Sequence, residues 1–365
     1  MGFKAGIVGL PNVGKSTLFN SLSNAKAVSA NFPFCTIEPN IGMVAVPDTR
    51  LDKLKELVKP QNLVPAVVKI VDIAGLVKGA SKGEGLGNKF LATIRECEAI
   101  IHVLRCFQDE NIIHVENTID PIRDKEIIDT ELQLKDLESL EKKLEGAKKM
   151  SKGGNKDALA QIGVIQKFID FLVQGKNLRV MDATEEEWEV ISDVGAMTAK
   201  PVLYVCNVDQ DSLIGGNEFV TAVREAVSAE NARVIVISAL FEEQLAEFDD
   251  LEEKMLFLES YGLKEPGLAQ VIRVAYDLLN LQTYFTAGVK EVRAWTIYKD
   301  TKAPQAAGII HSDFERGFIR AEVIKFEEFV KYKSEAAVKE AGKMSVEGKE
   351  YVVQDGDIMH FRFNV

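Results

Sequence analysis

Little in this chain of 365 residues points toward a membrane protein, a disulfide-built scaffold or a nucleic-acid tail. No apolar run reaches the roughly 18–20 residues needed to cross a bilayer, so no spanning helix is expected. Met1-Gly2-Phe3-Lys4-Ala5 leads straight into an apolar strand, without the anatomy of a signal peptide. Gly2 sits in that strand's approach and is not read as a lipidation site. Cysteine is scarce: Cys35, Cys97, Cys106 and Cys206 fall in no CxxC or zinc spacing. Reduced, mostly buried thiols in a cytoplasmic protein are therefore expected. Repeats and low-complexity segments are also lacking. Positive charge is short, with 44 basic against 56 acidic residues and a net charge of −12, which argues against binding nucleic acid through bulk charge. The deficit is uneven. Residues 280–365 carry 13 basic and 13 acidic residues, whereas the first 279 carry 31 and 43.

What the chain does have is core-forming material, 46% hydrophobic residues beside 27% charged. That length and composition suit two or three folded domains of about 100–200 residues each. Apolar, β-branched runs at 3–9, 67–72, 99–105, 201–207 and 234–238 read as strands separated by helical stretches. Near-continuous runs of this kind indicate parallel strands covered on both faces. The expected architecture is a doubly wound α/β sheet with its ligand at the carboxyl ends of the strands.

Between the third and fourth strands the texture changes. Ile127, Ile128, Leu132, Leu134, Leu137, Leu140 and Leu144 recur at helical spacing, and Lys152-Gly153-Gly154-Asn155 breaks the run before a second helix from Asp157 to about Gly175. This reads as an antiparallel, coiled-coil-like hairpin. Its tip is basic, with Lys142, Lys143, Lys148, Lys149, Lys152 and Lys156; a solvated helix end and a contact patch for RNA or another acidic partner are both open readings. Beyond Gly267 a helix over 268–279 precedes strands expected at 291–298, 309–311, 320–326, 349–353 and 358–363. The last two are expected to pair as a hairpin across Asp355-Gly356, within a separate α+β domain.

Gly9-Leu10-Pro11-Asn12-Val13-Gly14-Lys15-Ser16 matches GxxxxGK[ST] between the first strand and a helix, the setting that makes this motif a phosphate cradle. Backbone N–H groups of the loop and the helix N-terminus attract anionic oxygens, and Gly14 admits the phosphates closely. Lys15 supplies a point charge to the β- and γ-phosphates, and Ser16, followed by Thr17, brings a hydroxyl for Mg2+. Asp72-Ile73-Ala74-Gly75 ends the second long strand: Asp72 is placed to hold the metal and the Gly75 amide to sense the γ-phosphate. Thr36, between these two motifs, is the second candidate metal hydroxyl. Gly79, Gly83, Gly85 and Gly87 follow in a segment suited to a switch.

These motifs resemble the TRAFAC class of P-loop proteins, and Asp72-Ile73-Ala74-Gly75-Leu76-Val77-Lys78-Gly79-Ala80-Ser81 resembles its Obg subfamily. Three stretches are similar to the YchF-type Obg-like ATPases in particular: 31–40, 83–91 and 279–288. The resemblance covers essentially the whole chain. It implies an OBG-type P-loop domain from residues 1–124 and 200–279, a coiled-coil insertion at 125–199, and a TGS domain of β-grasp type at 280–365. It also implies ATP as ligand and the ribosome as partner, reached through the TGS domain and the Lys142–Lys156 tip.

Guanine-specific members of the class read their base with Asn-Lys-x-Asp. Here the fourth strand ends Asn207-Val208-Asp209-Gln210, without that lysine or the final aspartate. Loss of the carboxylate leaves the guanine donors poorly matched, which favours ATP. Gln210 also departs from the Asn-x-x-Glu of the YchF type, though an amide can donate to N1 of adenine and accept from N6. Asn207 and Val208 line the base, with Ser238-Ala239 opposite. Ras-like enzymes orient the attacking water with a glutamine after Asp-x-x-Gly. Leu76 stands at that position and cannot do so, which points to a slow switch. Asn12 is the residue type carried by potassium-stimulated members, so K+ is a candidate cofactor; a loop-stabilising hydrogen bond is the other reading. Among four histidines, His102 reads as a satisfied core group, and His311 and His360 lie far along the chain. His114, in the loop after the third strand, is either the water-positioning group or structural.

Overall fold

The computed structural model describes residues 3–23, 40–73, 86–152, 156–230 and 232–364. Thr36, Gly75, Leu76, Gly79, Gly83, Gly85 and Cys35 lie outside them. In chain order the strands are β1 (Lys4–Val8), β2 (Ile41–Ala45), β3 (Asn62–Val64), β4 (Val67–Asp72), β5 (Ala99–Arg105), β6 (Val202–Asn207) and β7 (Arg233–Ile237). There follow β8 (Leu281–Ala287), β9 (Glu291–Tyr298), β10 (Phe318–Ile324), β11 (Ser345–Glu347) and β12 (Ile358–Phe363). The helices begin with α1 (Lys15–Ser23), α2 (Thr49–Val58), α3 (Leu86–Glu96), α4 (Pro121–Lys152), α5 (Lys156–Val173), α6 (Glu185–Val190) and α7 (Glu218–Ala226). They continue as α8 (Ala239–Glu247), α9 (Leu251–Ser260), α10 (Gly267–Leu278), α11 (Ala303–Ile310), α12 (Ser312–Arg316), α13 (Phe326–Tyr332) and α14 (Glu335–Glu340).

Chain contacts divide into two compact units. One takes in the described residues 3–23, 40–42 and 69–271; the other takes in 43–68 and 272–364. The nucleotide-type sheet has the order β2-β4-β1-β5-β6-β7, and its pairs β4-β1, β1-β5, β5-β6 and β6-β7 are all parallel. Every residue of β5 and β6 is buried. This is why those strands read as unbroken apolar runs rather than alternations. The doubly wound α/β sheet expected from the sequence is present.

The insertion is a helical hairpin. Gln133 near the base of α4 donates to the Gly175 carbonyl (3.1 Å) and Asn177 Oδ1 (2.8 Å) beyond the end of α5, so the helices run antiparallel. Leu140, Leu144 and Ala147 interlock with Ile165, Phe168, Ile169 and Leu172. The root of α4 is fastened by buried charge: Lys125 Nζ meets Asp129 and Glu230, both at 2.7 Å, and Arg179 meets Glu230 at 3.1 Å. Burial opposes charge on Asp129, yet Lys125 and Arg179 hold its carboxyl below the ordinary range.

The second unit differs from expectation in detail. Its sheet has the order β11-β10-β12-β8-β9-β3, with β3 supplied from residues the sequence assigns to the segment 1–124. Arg50 on α2 adds a bidentate grip on Asp48 and an ion pair to Asp355 at 2.8 Å. Residues 309–311 are not a strand: they close α11, an alanine-rich helix with Pro304 in its first turn, whose Ala303, Ala306 and Ala307 are buried. Nor does 349–353 form a hairpin arm. Val352 makes a single bridge to Lys302, because both edges of β12 are taken, by β10 antiparallel and by β8 parallel. The Asp355-Gly356 turn survives, with Gly356 at φ +89°, where glycine is favoured. The sequence pattern does not show β2, β3, β8 or β11; β3 and β11 are three residues long, below what alternation can reveal.

Candidate functional site

The phosphate loop joins β1, in the middle of its sheet, to α1. A side chain at Gly9 would lie 2.7 Å from the Val103 carbonyl oxygen, and one at Gly14 would overlap the Asn207 amide. Gly14 also has φ +94°, so both its conformation and its space require glycine. The loop is pinned from the base-pocket side. Asn207 Nδ2 donates to the Val13 carbonyl and Asn207 Oδ1 accepts from the Ala239 amide, each at 2.9 Å. Asn207 thus splints the P-loop to the start of α8 rather than facing outward. Val208 is buried beside it, and Ser238 caps α8 by accepting from the Phe241 amide (3.4 Å).

Lys15 and Asp72 converge. Lys15 Nζ lies 3.2 Å from Asp72 Oδ1, from residues 57 positions apart in the chain. The sheet produces this meeting: β1 and β4 are parallel neighbours, with Ile7 registered on Asp72. An ammonium and a carboxylate from distant parts of the chain therefore sit at one place and neutralise each other there. Ser16 is exposed at the start of α1 and Thr17 half-buried behind it. Oxygen donors at Ser16 and Asp72 suit the hard cation Mg2+. The third and fourth members of the expected set, Thr36 and Gly75, lie outside the described residues.

The loop after β5 is built on buried polar contacts that the sequence reading missed. Arg105, 1% exposed, donates to the carbonyls of Phe107 (3.2 Å), Asp109 (3.1 Å) and Ile112 (2.9 Å), and its guanidinium lies 4.6 Å from the Phe107 ring centre. Asn12 donates to the next carbonyl, that of Ile113 (3.0 Å), which joins the two loops. His114 is buried. Its Nδ1 accepts from the Glu116 amide (3.1 Å), so its Nε2 carries the proton and donates to Asp124 Oδ2 at 2.8 Å. Asp124, also buried, is gripped at its other oxygen by Arg123 (2.9 Å). With both ring nitrogens engaged, His114 has none left to hold a water while this arrangement persists. The one warning in the sequence was a basic residue, Arg105, closing a strand that is apolar apart from His102.

His102 is buried in β5, as expected, but is not satisfied: its Nε2 has no partner. Burial pushes its pKa down to about 3, so the ring stays neutral. Gln210 donates to Gln244 Oε1 (2.7 Å) and accepts from the Tyr261 hydroxyl (3.3 Å). At the hairpin tip Lys142, Lys148, Lys149 and Lys152 are exposed, whereas Lys143 pairs with Asp193 at 2.6 Å. No helix of the described residues is long and apolar enough to cross a membrane.

Two family models match the chain. One, described as 50S ribosome-binding GTPase, covers residues 4–149; the other, for the YchF GTPase C-terminal region and described as a protein of unknown function, covers 281–364. A protein of Escherichia coli O157:H7 named "Ribosome-binding ATPase YchF" is 56% identical over the full length of both chains. The chain belongs to the YchF family. A Bacillus subtilis member of the same name is 54% identical, again over the whole of both chains. The solved YchF GTPase of Schizosaccharomyces pombe superposes with a TM-score of 0.90 at 43% identity, covering 99% of this chain and 97% of that one. Matches at this level extend the family's architecture across both units described above.

Proposed function

We propose that this chain is a slow, Mg2+-dependent ATPase switch that acts on the ribosome in the cytoplasm, in translation or its regulation under stress. The observation that carries this reading is the convergence of Lys15 and Asp72 at 3.2 Å beside the Gly14 cradle. A protein using the fold only as scaffold has no need of a phosphate cation and a metal carboxylate at one point. Bacterial relatives are named ribosome-binding ATPases, in agreement with glutamine at position 210 in place of the guanine-reading aspartate.

In the proposed site, P-loop amides and Lys15 bind the β- and γ-phosphates, and Ser16, Thr36 and Asp72 hold Mg2+. The metal, when bound, neutralises charge on the transferring phosphoryl group. Gly75 senses the γ-phosphate. His114 positions water after its loop releases it from Asp124. K+ would act beside Asn12, and rates in K+ against Na+ buffer test that role. The exposed lysines between Lys142 and Lys156 and the TGS-like second unit supply the ribosome contacts, the former by phosphate pairing that weakens with salt.

A second reading, an Obg-type GTPase, draws on the word GTPase in one family description and in the fission-yeast structure. Phosphate release and calorimetry with ATP and GTP decide between them. Tighter GTP binding overturns the base assignment, and a Lys15→Ala variant as fast as wild type overturns the enzyme. Cosedimentation with ribosomes, with and without ATP, tests the partner; equal pelleting without ribosomes removes it.

A further inference from the structure

Both oxygens of the Asp124 carboxylate are taken, by partners of different kinds. Oδ2 accepts from His114 Nε2 at 2.8 Å, with both side chains 2% exposed or less. Oδ1 accepts from Arg123 Nη2 at 2.9 Å and from its Nε at 3.3 Å. Arg123 is tethered in turn: Nη1 donates to Thr118 Oγ1 and Nη2 to the Thr118 carbonyl, each at 2.7 Å. Its side chain keeps 28% exposure, so water reaches this cation but not the carboxylate it serves. Arg105 also faces Asp124. Burial lowers the Arg105 pKa, and the charges of Asp109 and Asp124 oppose that fall; its fork, however, is spent on three carbonyls.

The helix start puts these groups together. Asp120 accepts from the Ile122 and Arg123 amides (3.1 and 3.0 Å), which leaves residues 123 and 124 in the first turn of α4. There the helix N-terminus favours a negative charge. When His114 leaves Asp124 to reach a water, the carboxylate stays inside the protein, and what it keeps is Arg123. Without that cation the departure strands a buried, uncompensated charge, which is strongly unfavourable. A carboxylate shared with a guanidinium also grips an imidazole N–H less firmly than an unshared one. Both effects of Arg123 act in the same direction.

We propose that Arg123 is a positioning residue: the counter-ion that remains on Asp124 and so lets His114 leave. The inference rests on the reading of His114 as the water-positioning group. Its first test is phosphate release from ATP. Arg123→Gln is expected to lower kcat by about tenfold, the low end of what a hydrogen bond to a charged group contributes, with KM within about twofold of wild type. Arg123→Lys keeps the charge without the fork and is expected to recover the rate to within roughly threefold. In an Asp124→Asn background no buried charge needs compensation, and Arg123→Gln is expected to change kcat by less than about twofold. A loss that persists in that background makes Arg123 an anchor for Thr118 and overturns the proposal, as does an Arg123→Gln enzyme at or above the wild-type rate.

Release is also read without turnover. The Nε2–H proton of His114 exchanges with water when the ring leaves Asp124, and its exchange, followed by NMR, is expected to slow about tenfold in Arg123→Gln. Slowed exchange beside a His114→Ala enzyme at the wild-type rate overturns the water-positioning reading and upholds the role of Arg123 in release. Unchanged exchange beside a slow His114→Ala enzyme overturns the role of Arg123 alone. Should Arg123→Gln fail to fold, Arg123→Met removes the same charge and carries the same comparisons.

Discussion

Two loops at the ends of neighbouring strands solve the same problem with different materials. The P-loop after β1 is shaped by backbone: Gly9 and Gly14 fit where no side chain can, and Asn207 pins it through main-chain groups. The loop after β5 is shaped by buried side chains, Arg105 across three carbonyls and His114 on Asp124. A backbone cradle is ready for an anion without rearrangement. A loop strapped by a few specific polar bonds has a defined alternative, reached by exchanging those bonds. The difference teaches where a rigid binding element and a movable one can lie side by side.

Breaking the backbone side should have the largest effect. Lys15→Ala is expected to lower phosphate release from ATP by 100-fold or more, on the order of what one preorganised charge contributes. A fall below tenfold would mean that the cradle works without its cation. On the strapped side, Arg105→Met leaves three inward carbonyls without their donor. Unfolding free energy by urea titration should drop by about 3 kcal/mol, with faster amide exchange confined first to residues 107–115.

The scaffold beneath the P-loop carries its own titrating group. Glu242 on α8 accepts from the Gly267 amide at 2.7 Å, and burial raises its pKa from 4.5 to about 7. Because the folded state holds the proton more tightly, this group's contribution is complete below pH 4.5 and is lost as pH rises through 7. Glu242→Gln should therefore match wild type at pH 4.5 and exceed its stability at pH 8, by up to about 3 kcal/mol. Equal thermal midpoints at pH 8 would show that the carboxylate is accommodated. The smallest effect sharpens the contrast most. Asp124→Asn weakens the grip on His114 and should raise basal turnover by roughly threefold, the change from softening one charge-assisted hydrogen bond. His114→Ala should lower turnover, and unchanged rates in both would make this loop structural.

The side chains of the candidate site and its surroundings differ in how far they could be read before folding. Lys15, Ser16 and Asp72 were legible because a phosphate cradle is a local device with fixed spacing between strand and helix. Asn207 was legible as a position but not as a splint, because its partners Val13 and Ala239 lie 194 and 32 residues away. Arg105 and Asp124 carried no motif at all. Their roles exist only once β5 and the root of α4 enclose them and remove water from their charges. In the second unit, Ile309-Ile310 read as a strand until Pro304 and three buried alanines made it the end of a helix.

By itself the sequence determined the parallel sheet, the hairpin and the phosphate loop, since buried apolar runs, helical periodicity and glycine spacing are local properties. Tertiary structure decided the rest. It brought Lys15 to Asp72, turned His114 onto Asp124 and seated Gln210 between Gln244 and Tyr261, and it drew residues 43–68 into the unit of 272–364. The physical reason is common to all four. A polar pair gains strength only where the fold excludes water and sets both partners at hydrogen-bond distance, and no spacing along a chain encodes that.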